Sequence, residues 1–458
     1  MTQAPIGWTA VTLDYLTRSD SPICYGVLKP GDPDPEGVPM VRVTDIRTNE
    51  FDSSQVAYIT PKLDAEFSRS HVTTGDVLIS VQGTVGRVAV VPKSFPRGNI
   101  SRTIARIRPI DPSLSRWIQS ALLAPEQQAK IDADTGGTTR DSLNIGDLRE
   151  ITIPLAPANE QRRIIAKIDT LSAQSKRARD HLQHVSRLTE KYKESILRAA
   201  CDGSLTEDWR KRHGAPEPRS EGLLSLIGTP IRNGLSIRGT DQPPGIRSLR
   251  LSALRNRTVD LDAVRFLPID ARRAEPYLIQ RGDILVSRGN GTKHFVGIAS
   301  LVPSVDQPTI FPDTAFRIRL NQSVVLPEWF ALVWNAPQVR MQIESVAKTT
   351  AGIWKVSQGD LARIKLIVPC IDEQCQVLAR ASSAIQWVDR LASHATHARK
   401  LTDHLDQAVL SRAFRGELVA QDPGDEPASV LLERIKGERT GPTPARRGRG
   451  RPRLASAT

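Results

Sequence analysis

The chain has 458 residues, of which 39% are hydrophobic and 25% are charged, and its formal net charge is +13 with a pI of about 9.8. This length predicts two or more domains with cores of their own, and the composition is that of a soluble globular protein. No run approaches 18 apolar residues and no basic segment precedes an apolar one at the N-terminus, so we expect neither a membrane span nor a secretory signal.

The positive charge favours a polyanionic partner, and nucleic acid is the first candidate. Five arginines of the C-terminal tail carry part of this excess, but most of it lies in the body of the chain. The four cysteines form no disulfide framework or metal-ligand spacing in so long a chain, which favours reduced thiols in a cytoplasmic protein.

The chain contains an internal duplication. The segment from Gly146 to Gly203 recurs 213 positions later without a gap, so that Glu160-Gln161 returns as Glu373-Gln374. Upstream the offset is about 207, where Gly75-Asp76 returns as Gly282-Asp283. The small drift places insertions in loops and keeps the long elements in register. A duplicated chain presents two similar surfaces, which suits a ligand with two sites along a line.

Each copy begins with a predicted globular segment of mixed strands and loops. Short buried strands are predicted at 77–80 and 284–287, each followed by a hairpin partner that ends at a proline. A glycine-rich turn joins the two strands, at 82–87 in copy one and 288–294 in copy two. Such turns contact phosphate through backbone amides in some proteins, and a tight hairpin turn that needs positive φ is an equally good interpretation.

A second loop follows in each copy, at 135–140 and 348–355, and it combines hydroxyls, glycines and cations. Its chemistry differs between the copies while its flanks agree, as two different half-targets would require; a solvated loop is the alternative. As a hypothesis, we assign DNA contacts in both copies and in the tail to Arg42, Arg87, Thr138, Thr139, Arg140, Arg250, Lys293, Lys348, Thr349, Thr350, Lys355, Arg449 and Arg451.

A long helix follows each Glu-Gln pair. In both copies apolar or small residues recur in steps of four and three, the spacing of a coiled-coil seam, over roughly 60 Å of uninterrupted helix. The order of the segments predicts an antiparallel pair with pseudo-two-fold symmetry, and two separate helices on separate cores are the alternative. The main predicted seam residues are Ile164, Ile168, Leu171, Leu182, Val185, Tyr192, Ile196, Val377, Val388, Leu391, Leu405 and Val409.

The predicted fold class is therefore mixed α/β (α+β), with two similar globular domains joined by two long antiparallel helices. The predicted boundaries are a first globular domain, a first helix, a linker, a second globular domain, a second helix and a disordered basic tail, at 1–158, 159–203, 204–220, 221–371, 372–416 and 417–458.

Motifs of catalysis are absent from the sequence. It contains no phosphate-binding P-loop, no dinucleotide fingerprint, no zinc-protease motif and neither Asn-Pro-Pro-Tyr nor Asp-Pro-Pro-Tyr of an amino-methyltransferase. We identify no candidate active site and no metal site.

Together, these landmarks resemble the specificity (S) subunit of a type I restriction–modification enzyme, over about residues 5–420. The resemblance depends on Gly7-Trp8, the segment 37–46, the two Glu-Gln pairs, and 409–418, which reads Val-Leu-Ser-Arg-Ala-Phe-Arg-Gly-Glu-Leu. Each landmark is weak alone, and their order and duplication make the set specific. The start of copy two, from Glu221 to Gly245, shows no clear counterpart of Gly7-Trp8.

The resemblance implies two target-recognition domains that each recognise one half of a split double-stranded DNA sequence, with paired helices that set the spacer and dock two methyltransferase (modification) subunits. It implies no cofactor bound directly. S-adenosylmethionine would lie in the methyltransferase, and ATP and Mg in the motor–nuclease (restriction) subunits. The tail sequence at 449–453 lies outside the family pattern and resembles an AT-hook, with solvated disorder as the alternative.

Two other functions fit these observations. One is the specificity partner of another methylation-based phage-defence system, and the other is a coiled-coil scaffold whose globular ends bind proteins. A self-contained restriction enzyme is disfavoured because the catalytic motifs are absent.

Overall fold

The computed structural model describes residues 5–47, 50–95, 97–135, 142–254, 257–350 and 352–440. The chain divides into two compact units, which we call unit 1 (Met1–Asp180 and Arg399–Thr458) and unit 2 (His181–Ala398). The two long helices each contribute residues to both units.

Unit 1 combines short strands with helices. Its strands are β1 (Thr9–Thr12), β2 (Cys24–Tyr25), β3 (Val38–Val41), β4 (Ile46–Arg47), β5 (Glu50–Phe51), β6 (Ala57–Ile59), β7 (Val77–Ser80), β8 (Val88–Val90), β9 (Asn99–Ile100), β10 (Ile104–Ile107) and β11 (Thr152–Leu155). Its helices are α1 (Leu13–Leu16), α2 (Pro61–Glu66), α3 (Ser115–Leu123), α4 (Pro125–Asp134), α5 (Ile145–Glu150) and the first part of α6 (Ala158–Asp202).

Unit 2 has the corresponding set. Its strands are β12 (Arg219–Gly222), β13 (Ile227–Asn233), β14 (Ile246–Leu249), β15 (Val264–Leu267), β16 (Ile284–Ser287), β17 (Gly289–Asn290), β18 (Ala299–Leu301), β19 (Thr309–Ile310), β20 (Ala315–Leu320), β21 (Lys348–Thr350), β22 (Ile353–Lys355) and β23 (Lys365–Val368). Its helices are α7 (Glu207–His213), α8 (Leu223–Leu226), α9 (Ala271–Ala274), α10 (Pro327–Trp334), α11 (Pro337–Val346), α12 (Gln358–Ala362) and the first part of α13 (Ile371–Phe414).

The two units share the topology of three sheets. A four-stranded sheet has the order β2-β10-β7-β8 in unit 1 and β13-β20-β16-β18 in unit 2, and the three-stranded sheet β6-β3-β9 matches β15-β14-β19. The pair β1-β11 matches β12-β23 and joins the start of each globular part to its end. Strand β12 is thus the counterpart of β1, which supplies the first element of copy two that the sequence left uncertain. The duplication and the predicted hairpins β7-β8 and β16-β18 are confirmed.

A buried ion pair explains one of the repeated landmarks. The guanidinium of Arg108 donates to the carboxylate of Asp76 at 2.6 Å, and that of Arg319 donates to Asp283 at 2.8 Å. Both aspartates are almost fully buried. Because a buried carboxylate without its cation is costly, the Gly-Asp turn and the later arginine must recur together.

The segment between α6 and β12, which the sequence predicts as a linker, is folded. Helix α7 places the side chain of Arg210 against the start of α13, where its guanidinium donates to the buried carboxylate of Glu373 at 2.9 Å. The hydroxyl of Thr206 donates to the same carboxylate at 2.7 Å. In unit 1 the equivalent Glu160 accepts a hydrogen bond from the indole of Trp8 at 2.9 Å. Each long helix therefore begins at a buried, hydrogen-bonded glutamate.

The prediction of a disordered tail from residue 417 is wrong for 417–440. Helix α14 (Ala428–Thr440) packs on unit 1, where Ala428 and Ile435 join the core. The amide of Ala428 donates to the carbonyl of Gly7 at 2.9 Å, and the guanidinium of Arg439 lies 5.1 Å from the ring centre of Tyr15. The apolar spacing in this segment gives it a face to bury, which its polar flanks obscure in the sequence.

Candidate nucleic-acid interface and helix seam

In unit 2 the glycine-rich turn and the second loop form one small sheet. Strands β21 and β22 make a hairpin, and β17, which follows β16, pairs with β22 so that Gly289 lies opposite Lys355. The sequence predicted these segments as loops and did not bring them together. Their pairing brings together residues that lie 64 and 66 positions apart in the chain, Asn290 with Trp354 and Gly289 with Lys355.

This hairpin concentrates positive charge. Lys348 lies directly opposite Lys355 on the neighbouring strand, and both side chains are exposed, as is Thr349. The ammonium of Lys293 lies 4.9 Å from the ring centre of Trp354, a cation–π contact. Like charges in a cross-strand pair destabilise a sheet. An anion held between the two lysines would relieve this repulsion, so the hairpin suits a polyanion.

The carboxylate of Asp360, at the start of α12, anchors the end of the hairpin. The hydroxyl and amide of Ser357 donate to the carboxylate of Asp360 and lower its pKa, and the positive charge of Lys348 lowers it further. The carboxylate therefore stays ionised, caps the start of α12 and fixes the end of the hairpin.

The two units share one backbone hydrogen bond at the end of the second loop. The amide of Leu143 donates to the carbonyl of Val81 at 2.9 Å, as the amide of Val356 donates to that of Arg288 at 3.0 Å in unit 2. Gln82 also forms a bridge to Ser142. The loop residues Thr138, Thr139 and Arg140 lie outside the described residues, as do Arg449 and Arg451 of the tail, and their assignment to DNA contacts stays a prediction. Thr350 belongs to β21, and only its backbone is described.

Gly83 and Gly86 show why the first turn of unit 1 is rich in glycine. Both residues have positive φ, at 82° and 88°. The turn of unit 1 therefore needs glycine for its own geometry, which is the structural alternative that the sequence left open. In unit 2, a Cβ at Gly291 would meet no atom within 4 Å, so this reason does not extend to that glycine.

Arg42 and Arg250 occupy equivalent positions, one residue after β3 and β14. Arg42 donates to the carbonyl of Gln55 at 2.7 Å and pairs with Asp45. Arg250 donates to the carbonyl of Val264 at 2.8 Å and pairs with Asp241. Both guanidinium groups are thus held in place and remain partly exposed. The remaining predicted contact, Arg87, donates to the carbonyl of Ile46 at 3.2 Å and is half-buried.

The part of the chain that the structure describes shows no candidate metal site. It holds no group of three or more His, Cys, Asp or Glu side chains placed to bind a metal ion, and none of its helices is long and apolar enough to cross a membrane. The four cysteines are free thiols, and burial raises the pKa of Cys201 to about 11, which keeps that thiol protonated and inert.

The long helices are antiparallel within each unit. In unit 1, Arg179 of α6 pairs with Asp403 at 3.4 Å and Asp406 at 2.5 Å, while the earlier residue Ile164 shares its core with the later residue Val409. In unit 2, Lys193 pairs with Asp389 at 2.7 Å, and later residues of α6 share a core with earlier residues of α13. The antiparallel prediction is confirmed.

The structure exposes three of the twelve predicted seam residues. Tyr192, Leu391 and Leu405 are 52%, 37% and 53% exposed. The other predicted seam residues are buried or half-buried, namely Ile164, Ile168, Leu171, Leu182, Val185, Ile196, Val377, Val388 and Val409.

At each of these three exposed positions, the next residue along the helix is less exposed. These next residues are Lys193, Ala392 and Asp406. A strict 3.5-residue repeat drifts around a helix of 3.6 residues per turn, and steps of four, four and three correct the drift. The extra step places charged groups beside the seam, where they form the interhelical ion pairs.

The residues that leave the seam form exposed apolar pairs. Leu188 and Tyr192 lie one turn apart on α6, and Leu401 and Leu405 occupy the equivalent positions on α13. Trp387 precedes Leu391 by one turn in the same way. Large apolar side chains repeated at helical spacing on an exposed surface indicate a protein–protein contact.

Comparison with known proteins agrees with the resemblance found in the sequence. Residues 32–184 match a family model described as the type I restriction modification DNA specificity domain. The EcoKI specificity subunit of a type I restriction enzyme from Escherichia coli (strain K12) is 27% identical over 416 residues, which cover 88% of this chain and 89% of that protein. The StySPI specificity subunit from Salmonella potsdam is 25% identical, with coverage of 88% and 89%.

Two solved structures share the fold. A chain from a structure of the type I R-M system superposes with a TM-score of 0.66 at 16% identity, covering 91% of this chain and all of that one. The HsdS subunit from Thermoanaerobacter tengcongensis gives 0.54 at 17% identity, covering 91% and 98%.

The matched domain and the relatives that span most of the chain point to one class of protein, the DNA specificity subunit. Over most of its length this chain is similar to the specificity subunits of type I restriction enzymes, and the resemblance found in the sequence is confirmed.

The corrected seam makes a prediction about stability. Ile196 is buried, so Ile196→Ala should lower the free energy of unfolding by about 2–5 kcal/mol. Tyr192, one turn away, is exposed, so Tyr192→Ala should change it by less than about 1 kcal/mol. Thermal and urea unfolding of the two variants measures this difference. If the two variants lost the same free energy of unfolding, Tyr192 would belong to the buried seam and not to an exposed apolar pair.

Proposed function

We propose that this chain recognises a bipartite DNA target, with one half-site read by the globular part of each unit. The observation that carries the proposal is the contrast between scaffold and loops. The two units share the topology of three sheets and one backbone hydrogen bond at the end of the second loop, whereas unit 2 carries the lysine-rich hairpin and unit 1 carries a sequence of different chemistry at 135–140. Base recognition depends on side chains at such variable positions, and a common scaffold holds them.

Under this proposal target-recognition domain 1 keeps its predicted bounds of 1–158. Target-recognition domain 2, predicted as 221–371, begins two residues earlier, because strand β12 starts at Arg219. Helices α6 and α13 act as the spacer. The antiparallel ion pairs of Arg179 and Lys193 support this role, because they fix the register of the two helices. A fixed register gives the spacer a defined length.

We further propose that the exposed apolar pairs on α6 and α13 dock two methyltransferase subunits. Tyr192 and Leu405 are the support, because each lies beside an apolar residue one turn away, at equivalent places on the two helices. Those subunits would bind S-adenosylmethionine and methylate adenine, and motor–nuclease subunits with ATP and Mg would join for cleavage. The complex would act on double-stranded DNA in the cytoplasm.

Methylome sequencing of a host that carries this chain with its methyltransferase tests the proposal. The expected result is a split adenine motif with a constant gap, absent when the chain is deleted. A continuous motif would contradict a bipartite target. Unchanged methylation in the deletion strain would favour the scaffold interpretation.

The spacer role predicts the effect of lengthening both helices together. Four residues inserted after Asp180 and four after Ala398 leave the ion pairs of Arg179 and Lys193 intact within their own units. The insertion adds about 6 Å of helix, near two base-pair steps, and keeps most of the seam. The methylated motif should keep both half-sites and gain about two base pairs of gap. An unchanged gap, or altered half-sites, would refute the spacer role.

The hairpin predicts a change in one half-site only. Lys355→Ala or Lys348→Ala should weaken discrimination in the half recognised by unit 2 by about 1–3 kcal/mol, and Arg140→Ala should affect the other half. Competition binding of the assembled methyltransferase against duplexes mutated in each half measures the effect. Lys211→Ala, on the exposed surface of α7, is the matched control. Equal loss of affinity for every sequence would make these cations phosphate contacts only.

A further inference from the structure

Unit 2 contains a cleft of about 640 Å³ whose lining is rich in cations and hydroxyls. Arg238, Arg250 and Arg265 line it together with Ser252 and Thr314, and Asp313 is the one carboxylate among the lining residues. The lining residues include no aromatic side chain. The cleft therefore attracts anions and offers no stacking surface for a base.

The cleft forms where four segments of unit 2 converge, namely the chain after β13, the end of β14, strand β15 and the chain after β19. Strand β14 runs parallel to β19, and the chain that leaves β13 bridges to the segment after β19 through Leu235 and Pro312. Gly234 permits this approach, because a Cβ there would lie 2.0 Å from the carbonyl oxygen of Pro312. The convergence places the loop with Arg238 beside Arg250, the first residue after β14.

Two arginines of the cleft have N–H donors that no described residue accepts. The side chain of Arg238 is exposed and makes no hydrogen bond or ion pair with the residues that the structure describes. The Nε of Arg265 is buried without a partner. Arg250 is held by Val264 and Asp241 but stays partly exposed. A buried donor without an acceptor is costly, and an anionic oxygen entering the cleft would satisfy it.

The cleft lies next to the lysine-rich hairpin. The amide of Arg288 donates to the carbonyl of Thr314, which lines the cleft, at 2.8 Å. The carbonyl of Arg288 accepts from Val356, directly after the hairpin, at 3.0 Å. The backbone of Arg288 is thus hydrogen-bonded both to the cleft and to the end of the hairpin. A single polyanion that contacts the hairpin therefore has the cleft within reach.

Unit 1 has cations at corresponding places. Arg42 is the counterpart of Arg250. Val27 bridges to Ser101 as Leu235 bridges to Pro312. Lys29 lies two residues after Val27, near the place of Arg238, and its exposed side chain makes no hydrogen bond or ion pair with the described residues. The exposed side chain of Arg102 likewise makes none, but its place in unit 2 is taken by Asp313. Cations therefore recur in both units at a place where the fold is shared, whereas the second loops differ. A contact that recurs in this way is independent of base sequence.

We propose that this cleft in unit 2, and the matching cations of unit 1, bind phosphates of the DNA backbone and position each half-site under the recognition loops. The inference rests on the proposed function and adds a division of labour within each unit. The hairpin discriminates between bases, and the cleft supplies affinity that is independent of sequence.

Salt-dependent binding tests this division. The assembled methyltransferase complex is titrated with two duplexes at several salt concentrations. One duplex carries the recognition motif found by methylome sequencing, and the other has a scrambled sequence. Each of Arg238→Gln and Arg265→Gln should reduce the slope of log Kd against log salt by about 0.9 and weaken both duplexes by the same factor, leaving their affinity ratio unchanged. Lys29→Gln with Arg102→Gln gives the same test in unit 1, and Arg212→Gln on α7 is the control.

Unchanged slopes in the cleft variants would overturn the proposal, and so would a changed affinity ratio, because that would make the arginines base contacts. The exposed side chain of Arg238 makes no hydrogen bond or ion pair with the described residues, so its replacement tests the cleft even if Arg265→Gln unfolds the protein. A wild-type complex that fails to prefer the motif duplex would contradict the proposed function itself, whatever the slopes.

Discussion

The antiparallel contact between the two long helices is the constraint on which the rest of the structure depends. Its apolar seam alone would allow the helices to slide by a turn, because the small and branched residues along it are similar from one turn to the next. Arg179 with Asp403 and Asp406, and Lys193 with Asp389, remove that freedom by placing opposite charges at single positions. Exposed or half-exposed ion pairs contribute little stability, so their main effect is to specify register.

The buried glutamates extend this constraint into the globular parts. Glu160 and Glu373 stand at the first turns of the two helices, and each is hydrogen-bonded to a residue of its own unit, Trp8 in one case and Arg210 in the other. The same helix position thus uses different partners in the two copies. Duplicated scaffolds can diverge in this way wherever the geometry of an anchor is kept, and the second loops diverge on the same principle, held by equivalent backbone hydrogen bonds.

The sequence predicts the duplication, the helices and the hairpin strands because each of these leaves a periodic or repeated signal. It fails where the deciding interaction is not local. The seam residues Tyr192 and Leu405 fit a 3.5-residue repeat, and only the accumulated drift along a long helix turns them outward. Pairing of β17 with β22 joins segments far apart in the chain, and Ala428 and Ile435 are buried only because unit 1 offers a surface to α14. The cleft around Arg250 combines four separate segments, so the sequence indicated one of its cations and missed Arg238 and Arg265.

The central claim, that each globular part recognises its own half-site, is tested most directly by making the two parts the same. The junctions are available because β1 pairs with β11 as β12 pairs with β23, so residues 9–155 can replace 219–368 between matched strands. Methylome sequencing of a host with this hybrid chain and its methyltransferase is the measurement. The account predicts a motif with two copies of the first half-site in inverted orientation, because the two copies lead into antiparallel helices. A motif that retains the original second half-site would contradict it.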